Sequence, residues 1–237
     1  MTRHRRFHPF AAGLALALAA TAAFAADPPA PFTATYRVLR GGEAIGQATI
    51  QFKADGQGTY DYSNRIEGTS GLAAMLGASS SESSRLRWTG GMPETLGYDY
   101  RMEAAIKRRQ RHLVADWNAH RVSVTDNGKS FDYPTAPGMV DRNALPLALG
   151  LALQDGKRSV TVPVGVKQRV EQQRFQVKGE ETVQVPAGSY QAERVARTDS
   201  DKPFDAWYAP KKYPVPVKLS QSDGGDLTLE LTGYRQP

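Results

Sequence analysis

The chain of 237 residues contains no cysteine. That absence removes thiol nucleophiles, disulfide staples and thiolate metal sites together. It also excludes a lipid anchor attached through a first mature cysteine, so the chain is not expected to be a lipoprotein. Histidine is nearly as scarce: His4 and His8 fall close to the start, which leaves His112 and His120 on either side of the Trp117 turn. No HExxH helix and no third ligand accompanies that pair, so both read as surface histidines, with no metal and no cofactor implied. A GxSxG elbow and a phosphate-cradling glycine pattern are likewise missing. Asp199-Ser200-Asp201 and Asp223-Gly224-Gly225-Asp226 lack the spaced oxygens and closing glutamate of a calcium loop and read as turns. The chain is therefore expected to be no enzyme, although carboxylate pairs hidden among 24 acidic residues keep a glycan or lipid hydrolase as a third reading.

Long apolar runs are absent beyond the first twenty-five residues. There, Arg3, Arg5 and Arg6 precede the alanine-rich run AAGLALALAATAAFA, which ends on Ala23-Phe24-Ala25. This is the layout of a secretory signal peptide, cleaved before Ala26, and its core falls short of the ~20 strongly apolar residues of a membrane span. The expected location is the periplasm of a Gram-negative cell. The formal charge of +6 comes from 30 basic and 24 acidic residues; three of the arginines lie in the leader, so 27 basic residues and a balance of +3 remain. Such a balance gives no reason to expect nucleic acid, whose binding needs clustered positive charge. The run AIKRRQRH, Ala105 to His112, is the sharpest charge feature and would suit an anionic surface such as lipid headgroups or acidic glycans. A strand splits it between two faces, with Asp99, Glu103 and Asp116 nearby, so it reads as a solvated strand face, with peripheral membrane contact at most. SSSESS, Ser79 to Ser84, reads as a flexible loop.

What the chain has in quantity is alternation. Phe32, Ala34, Tyr36 and Val38 interleave with polar residues, as do Ala48, Ile50 and Phe52 beyond the turn Gly41-Gly42. The rhythm returns in Tyr60 to Glu67, Leu86 to Trp88, Tyr98 to Glu103 and Leu113 to Trp117, and then in VTVPV, RFQVK, TVQVP, YQAERVA, FDAWYA, VPVKLS and LTLELTGY. A two-residue period marks half-buried strands, and the Gly, Asn and Pro turns between them make an antiparallel meander. Two stretches break it. SGLAAMLGA, Ser70 to Ala78, is short and apolar. Asp141 to Gln154, DRNALPLALGLALQ, reads as a helix with Asp141 as N-cap, yet its leucines also alternate strictly and Pro146 would disturb a helix interior, which leaves strand open.

The expected fold is mainly β: a single, strongly curved antiparallel sheet, a half-barrel or flattened barrel, with one or two short helices against its concave side. Residues 26–31 form a short Pro-rich arm and 32–235 one domain. WYAPKKYPVPVK, Trp207 to Lys218, reads as a sheet edge protected by proline and lysine, the alternative being the rim of a ligand pocket.

The segments YRVLRGGEAIGQATIQF, VDRNALPLAL, VPAGSYQAERV and WYAPKKYPVPVKL, in this order, resemble the bacterial domain of unknown function 3108 family over roughly Phe32 to Tyr234. The resemblance implies an exported, mainly β envelope protein and brings no activity or catalytic residues. A concave apolar face is a natural pocket, and the leading expectation is a carrier of a lipid-like envelope molecule with Trp88, Tyr98, Trp117 and Trp207 as lining residues and LAAMLGASSSESS as a lid. The alternative is an envelope assembly factor docking on a protein partner through a strand edge or the basic run.

Overall fold

The computed structural model describes residues 27–222 and 226–237. The signal-peptide reading of residues 1–25 and most of the Asp223–Asp226 turn lie outside them. Eight strands come first: β1 (Phe32–Arg40), β2 (Glu43–Ala54), β3 (Thr59–Gly68), β4 (Ser79–Thr89), β5 (Met92–Ala104), β6 (Lys107–Asp116), β7 (Arg121–Asp126) and β8 (Lys129–Pro134). Seven more follow: β9 (Val140–Asp141), β10 (Ser159–Gly165), β11 (Val170–Val185), β12 (Gly188–Arg197), β13 (Phe204–Tyr208), β14 (Lys218–Gln221) and β15 (Leu227–Arg235). Helix α1 (Gly71–Met75) joins β3 to β4, and α2 (Leu145–Gln154) lies between β9 and β10. No helix among the described residues is long and apolar enough to cross a membrane.

All fifteen strands belong to one sheet, ordered β8-β7-β6-β5-β4-β3-β2-β1-β15-β14-β13-β12-β11-β10-β9. Two meanders are thus joined where the first strand pairs with the last, and among the described residues only the β9–β10 pair is parallel. Bulges at Thr35/Tyr36, Val38/Leu39, Arg85/Leu86 and Val177/Gly179 bend the strands, since an extra residue on one side of a pair kinks it and raises its twist. The sheet curls until its two edges approach without forming a ladder. Side chains bridge the seam: Tyr133 Oη donates to the Val166 carbonyl at 2.5 Å, and Lys167 pairs with Asp126 at 2.6 Å.

The concave side holds α2. Leu145, Leu147, Ala148, Leu149, Gly150, Leu151, Ala152 and Leu153 are all buried, so the helix is apolar on every side because the sheet surrounds it. That also explains why its leucines fit two periods. The helix starts at Leu145 rather than at Asp141, and Pro146 sits in the first turn, where a missing N–H leaves no bond unmade. Helix α1, by contrast, buries no residue and sits at the rim of the sheet.

Three expectations are corrected. Ser79 to Ser84 is the first half of β4, not a loop, with Ser84 wholly buried. RFQVK and TVQVP merge into the single long strand β11. The Trp207–Lys218 stretch is no edge: β13 pairs with β12 and β14, and Pro214, Val215, Pro216 and Val217 are buried in the connection between β13 and β14. That connection straps α2. Tyr208 Oη donates to the Pro146 carbonyl at 3.0 Å, Tyr36 Oη to the Pro216 carbonyl at 2.8 Å, and Gln154 Nε2 to the Pro210 carbonyl at 2.9 Å. Gly150 is obligatory here, because a Cβ on it would lie 2.0 Å from the Pro214 carbonyl oxygen.

Beyond α2, one end of the curled sheet is closed by a run of seven rings, six from strands and Tyr213 from the strap. Trp88 meets Tyr60 at 5.5 Å, Tyr60 stacks on Phe52 at 5.3 Å, and Phe52 on Phe32 at 5.8 Å. Tyr234 continues from Phe32 at 5.3 Å, then Tyr213 at 4.4 Å and Tyr190 at 5.9 Å. Offset and edge-on pairs of this kind contribute about 0.5–1.5 kcal/mol each beyond the area they bury.

Candidate functional site

The opposite end is open. Alternation in β1, β2 and β3 turns Tyr36, Ile50 and Tyr62 inward, while β14 and β15 supply Leu219 and Leu229. Together with the first turn of α2 and the β10–β11 hairpin, they enclose a cavity of about 930 Å³. Its inner walls mix aliphatic and phenolic side chains with the amides of Asn64, Asn143 and Gln173. Its mouth is charged: Arg111, Arg142, Lys167, Arg169, Arg197 and Lys202 line it, against the acidic residues Glu82, Glu171 and Asp199.

The acidic groups are shared out among these cations. Glu171 accepts from Arg169 at 2.5 Å and lies 3.7 Å from Arg197, which also grips Asp199 at 2.9 Å. Asp126, just outside the lining, is held by Lys167 at 2.6 Å and Arg111 at 2.9 Å. Burial opposes its ionisation, but the hydrogen bonds from those two cations keep its carboxyl below the usual range. Arg197 likewise holds Asp199 low. Glu82 faces Arg142 at 3.5 Å and accepts a hydrogen bond from Tyr98 Oη at 2.5 Å. Arg111 and Lys167 share the one carboxylate of Asp126, and cations outnumber carboxylates in the lining.

A buried polar latch anchors the floor. Asp141 Oδ1 accepts from Ser84 Oγ at 2.8 Å and from the backbone N–H groups of Asn143 at 2.9 Å and Ala144 at 3.1 Å. Thr95 Oγ1 donates to Asp141 Oδ2 at 2.7 Å and accepts from the Asp141 backbone N–H at 2.8 Å. Asn143 Nδ2 donates to the Tyr62 carbonyl at 3.0 Å and to Ser84 Oγ at 2.9 Å. The start of α2 is thus pinned to β3, β4 and β5. Burial pushes the Asp141 carboxyl up to about 6 in spite of these donors.

Two polar atoms of lining residues break the pattern. Tyr62 Oη and Asn64 Oδ1 are buried and have no hydrogen-bond partner among the described residues. Buried polar atoms are almost always paired, and leaving one unmade costs roughly 1–3 kcal/mol. Burial keeps the Tyr62 phenol far above its ordinary pKa, so it offers a neutral hydroxyl that donates and accepts.

The four aromatic residues expected to line a pocket lie elsewhere. Trp88 belongs to the closed end, edge-on to Phe52 at 6.0 Å. Trp117 Nε1 donates to the Thr95 carbonyl at 2.9 Å, with Arg87 over its ring at 4.4 Å. Trp207 is on the outer face of β13, bonded to Glu181 and flanked by Lys218 at 5.4 Å and Arg194 at 5.7 Å. Tyr98 is buried behind the mouth and touches it only through Glu82. None of the four lines the cavity. Reading by residue type missed Tyr62, Asn64, Arg142 and Arg197. The available signal was the inward face of β3, where alternation places Asn64 between Tyr62 and Ile66.

His112 is exposed and faces Asp99 at 2.8 Å, while His120 takes a left-handed turn conformation at φ 51°.

A family model described as "Protein of unknown function (DUF3108)" matches residues 31–232. The fold is similar to the crystal structure of a beta-barrel-like protein of the domain of unknown function DUF1849 from Brucella abortus, with 10% identity, 88% of this chain and 98% of that chain covered, and a TM-score of 0.55. A protein with a YmcC-like fold from Bacteroides fragilis is also similar, at 11% identity over 89% of this chain and 98% of that chain, with a TM-score of 0.33. No curated protein matches.

Proposed function

This chain belongs to the DUF3108 family, and we propose that it binds and carries an amphiphilic, lipid-like molecule of the cell envelope in the cavity beside α2. The observation that carries the reading is one space with two chemistries. Aliphatic side chains of Ile50, Leu219 and Leu229 give way to a mouth where cations outnumber carboxylates, and the lining includes Tyr62 and Asn64, whose Oη and Oδ1 are buried with no hydrogen-bond partner among the described residues. A cavity of about 930 Å³ falls within the ~300–1,000 Å³ of sites for small organic ligands. Each methylene hidden there stabilises the complex by roughly 0.8 kcal/mol. The polar head would stay at the arginines, where charge-assisted hydrogen bonds are the strong ones.

The reading places the protein outside the inner membrane after loss of residues 1–25, and it assigns no catalytic residue. The seam supports it, because an edge held by side-chain contacts such as Tyr133 to Val166 and Lys167 to Asp126 and Phe131 parts more readily than a ladder. The proposal predicts that gently purified protein yields an amphiphile on solvent extraction and mass spectrometry, and that it exchanges a fluorescent fatty acid. Leu229→Trp, which narrows the cavity beside Ile50 and Leu219, should weaken the exchange. Absence of both lipid and exchange in the unaltered protein would refute the proposal; repeated crosslinking in cells to one protein would favour an assembly role instead.

A further inference from the structure

Past the mouth, β5 and β6 run on as a two-stranded ribbon. β7 pairs with β6 from Arg111 onward and Asn127 of the following turn closes on Gln110, so the ladder of Lys107–Arg109 is with β5 alone among the described residues. Helix α1 stands beside the ribbon and is tied to its tip by the Ala105 N–H, which donates to the Leu76 carbonyl at 2.8 Å. The exposed side chains here are unusual. Of five exposed large hydrophobic residues among those described, four gather on these two tips: Ile106 is 96% exposed, Met75 80%, Leu72 66% and Leu76 40%. Isolated apolar side chains on a surface need no explanation, whereas a cluster ringed by charge marks an interaction site.

The ring is basic. Arg101, Lys107, Arg108 and Arg109 are all exposed on the ribbon. Arg108 has Glu103 at 4.0 Å, and Arg65 on β3 is matched by Glu67 at 2.7 Å. Arg101, Lys107 and Arg109 form no ion pair among the described residues. Alternation places Lys107, Arg109 and Arg111 on one face, the face that buries Leu113 within the sheet. A row of cations thus leads from the tip of the ribbon to the mouth of the cavity.

We propose that this end of the molecule docks on the surface of an anionic lipid bilayer. Leu72, Met75, Leu76 and Ile106 enter the headgroup region while the ribbon cations meet lipid phosphates, so the cavity opens toward the membrane. Apolar insertion and basic attraction are each weak, and stable attachment needs both together. Projecting tips ringed with positive charge fit a deformable, negatively charged partner. The inference stands apart from what the cavity holds, because it concerns residues outside the lining.

The test uses the chain from Asp27 onward, which contains every described strand and both helices and lacks the apolar leader. Co-sedimentation is measured with phosphatidylcholine vesicles with and without phosphatidylglycerol. Partitioning is expected to be at least about tenfold stronger on the anionic vesicles and to fall with salt. Met75→Asp combined with Ile106→Asp should lower it by roughly tenfold or more, with an unchanged thermal melt because both side chains are in solvent. Lys107→Glu with Arg109→Glu should remove the preference for anionic lipid. Equal partitioning on the two vesicle types, or variants that bind as the unaltered chain does, would overturn the proposal. So would a photo-crosslinker at position 106 that captures one protein and no lipid.

Discussion

The two ends of the curled sheet are built from the same strands and behave as opposites. At one end seven rings interlock over a proline strap whose carbonyls accept hydrogen bonds from Tyr36 and Gln154, while Tyr208 at its start donates to the Pro146 carbonyl of α2. At the other, carboxylates are divided among arginines and lysines, two buried polar atoms lack partners among the described residues, and large apolar side chains stand in water. The difference teaches where stability and recognition are placed. Packing is concentrated at the closed end and around α2, and this lets the open end keep unsatisfied groups that a self-sufficient core would exclude.

The contrast can be broken by substitution, and the closed end should respond most. Phe52→Ala removes a ring packed against Phe32, Tyr60 and Trp88; it is expected to cost about 3–5 kcal/mol in urea unfolding without changing the affinity of folded protein for an amphiphile. Gly150→Ala sets a methyl group against the Pro214 carbonyl, so strap and helix must separate, at a cost of about 3 kcal/mol by the same measurement.

Asp141, between the ends, sharpens the comparison through pH. Its carboxyl titrates near 6 when folded against an ordinary 3.8. Between those values the folded state holds a proton that the unfolded state has lost, so this group's contribution is complete below about pH 4 and is lost as pH rises through 6. The loss should be on the order of 3 kcal/mol, and Asp141→Asn should flatten that part of the stability profile. The smallest effect belongs to the open end. Tyr62→Phe deletes a hydroxyl with no partner, so stability should stay level or rise by up to about 1 kcal/mol, while amphiphile exchange weakens. Equal losses of stability for Phe52→Ala and Tyr62→Phe would erase the distinction between the ends.

Much of the fold was legible because strands and turns are local. Alternation from Phe32 to Val38 matches the burial of β1 residue by residue, and the glycine and asparagine turns fall where the hairpins reverse. The Asp141–Gln154 stretch was harder, since an element surrounded on all sides has no polar face to betray its period. SSSESS looked like a loop because serine is poor strand material by composition, while Ser84 earns its place through a bond to Asp141 that spans 57 residues. The prolines of Trp207–Lys218 signalled a missing ladder but not whether water or a helix would lie beside them. The site was least visible. Aromatic residues were expected to mark it, whereas the rings close the far end and the cavity is defined by Tyr62, Asn64 and cations that come together only when distant strands curl round α2.

The pairing of the first strand with the last has a consequence for how the chain assembles. Arg37 and Glu230 meet at 2.6 Å across a separation of 193 residues, whereas nearly every other strand neighbours the one just before it. As the polypeptide lengthens from its amino end, each meander can zip progressively from hairpin to hairpin. The two zipped halves stay separate until the final ribbon arrives to fasten them. Such a late, long-range step makes folding slow relative to chains of the same stability with only local partners, and it leaves the inner lining wet until the closing moments.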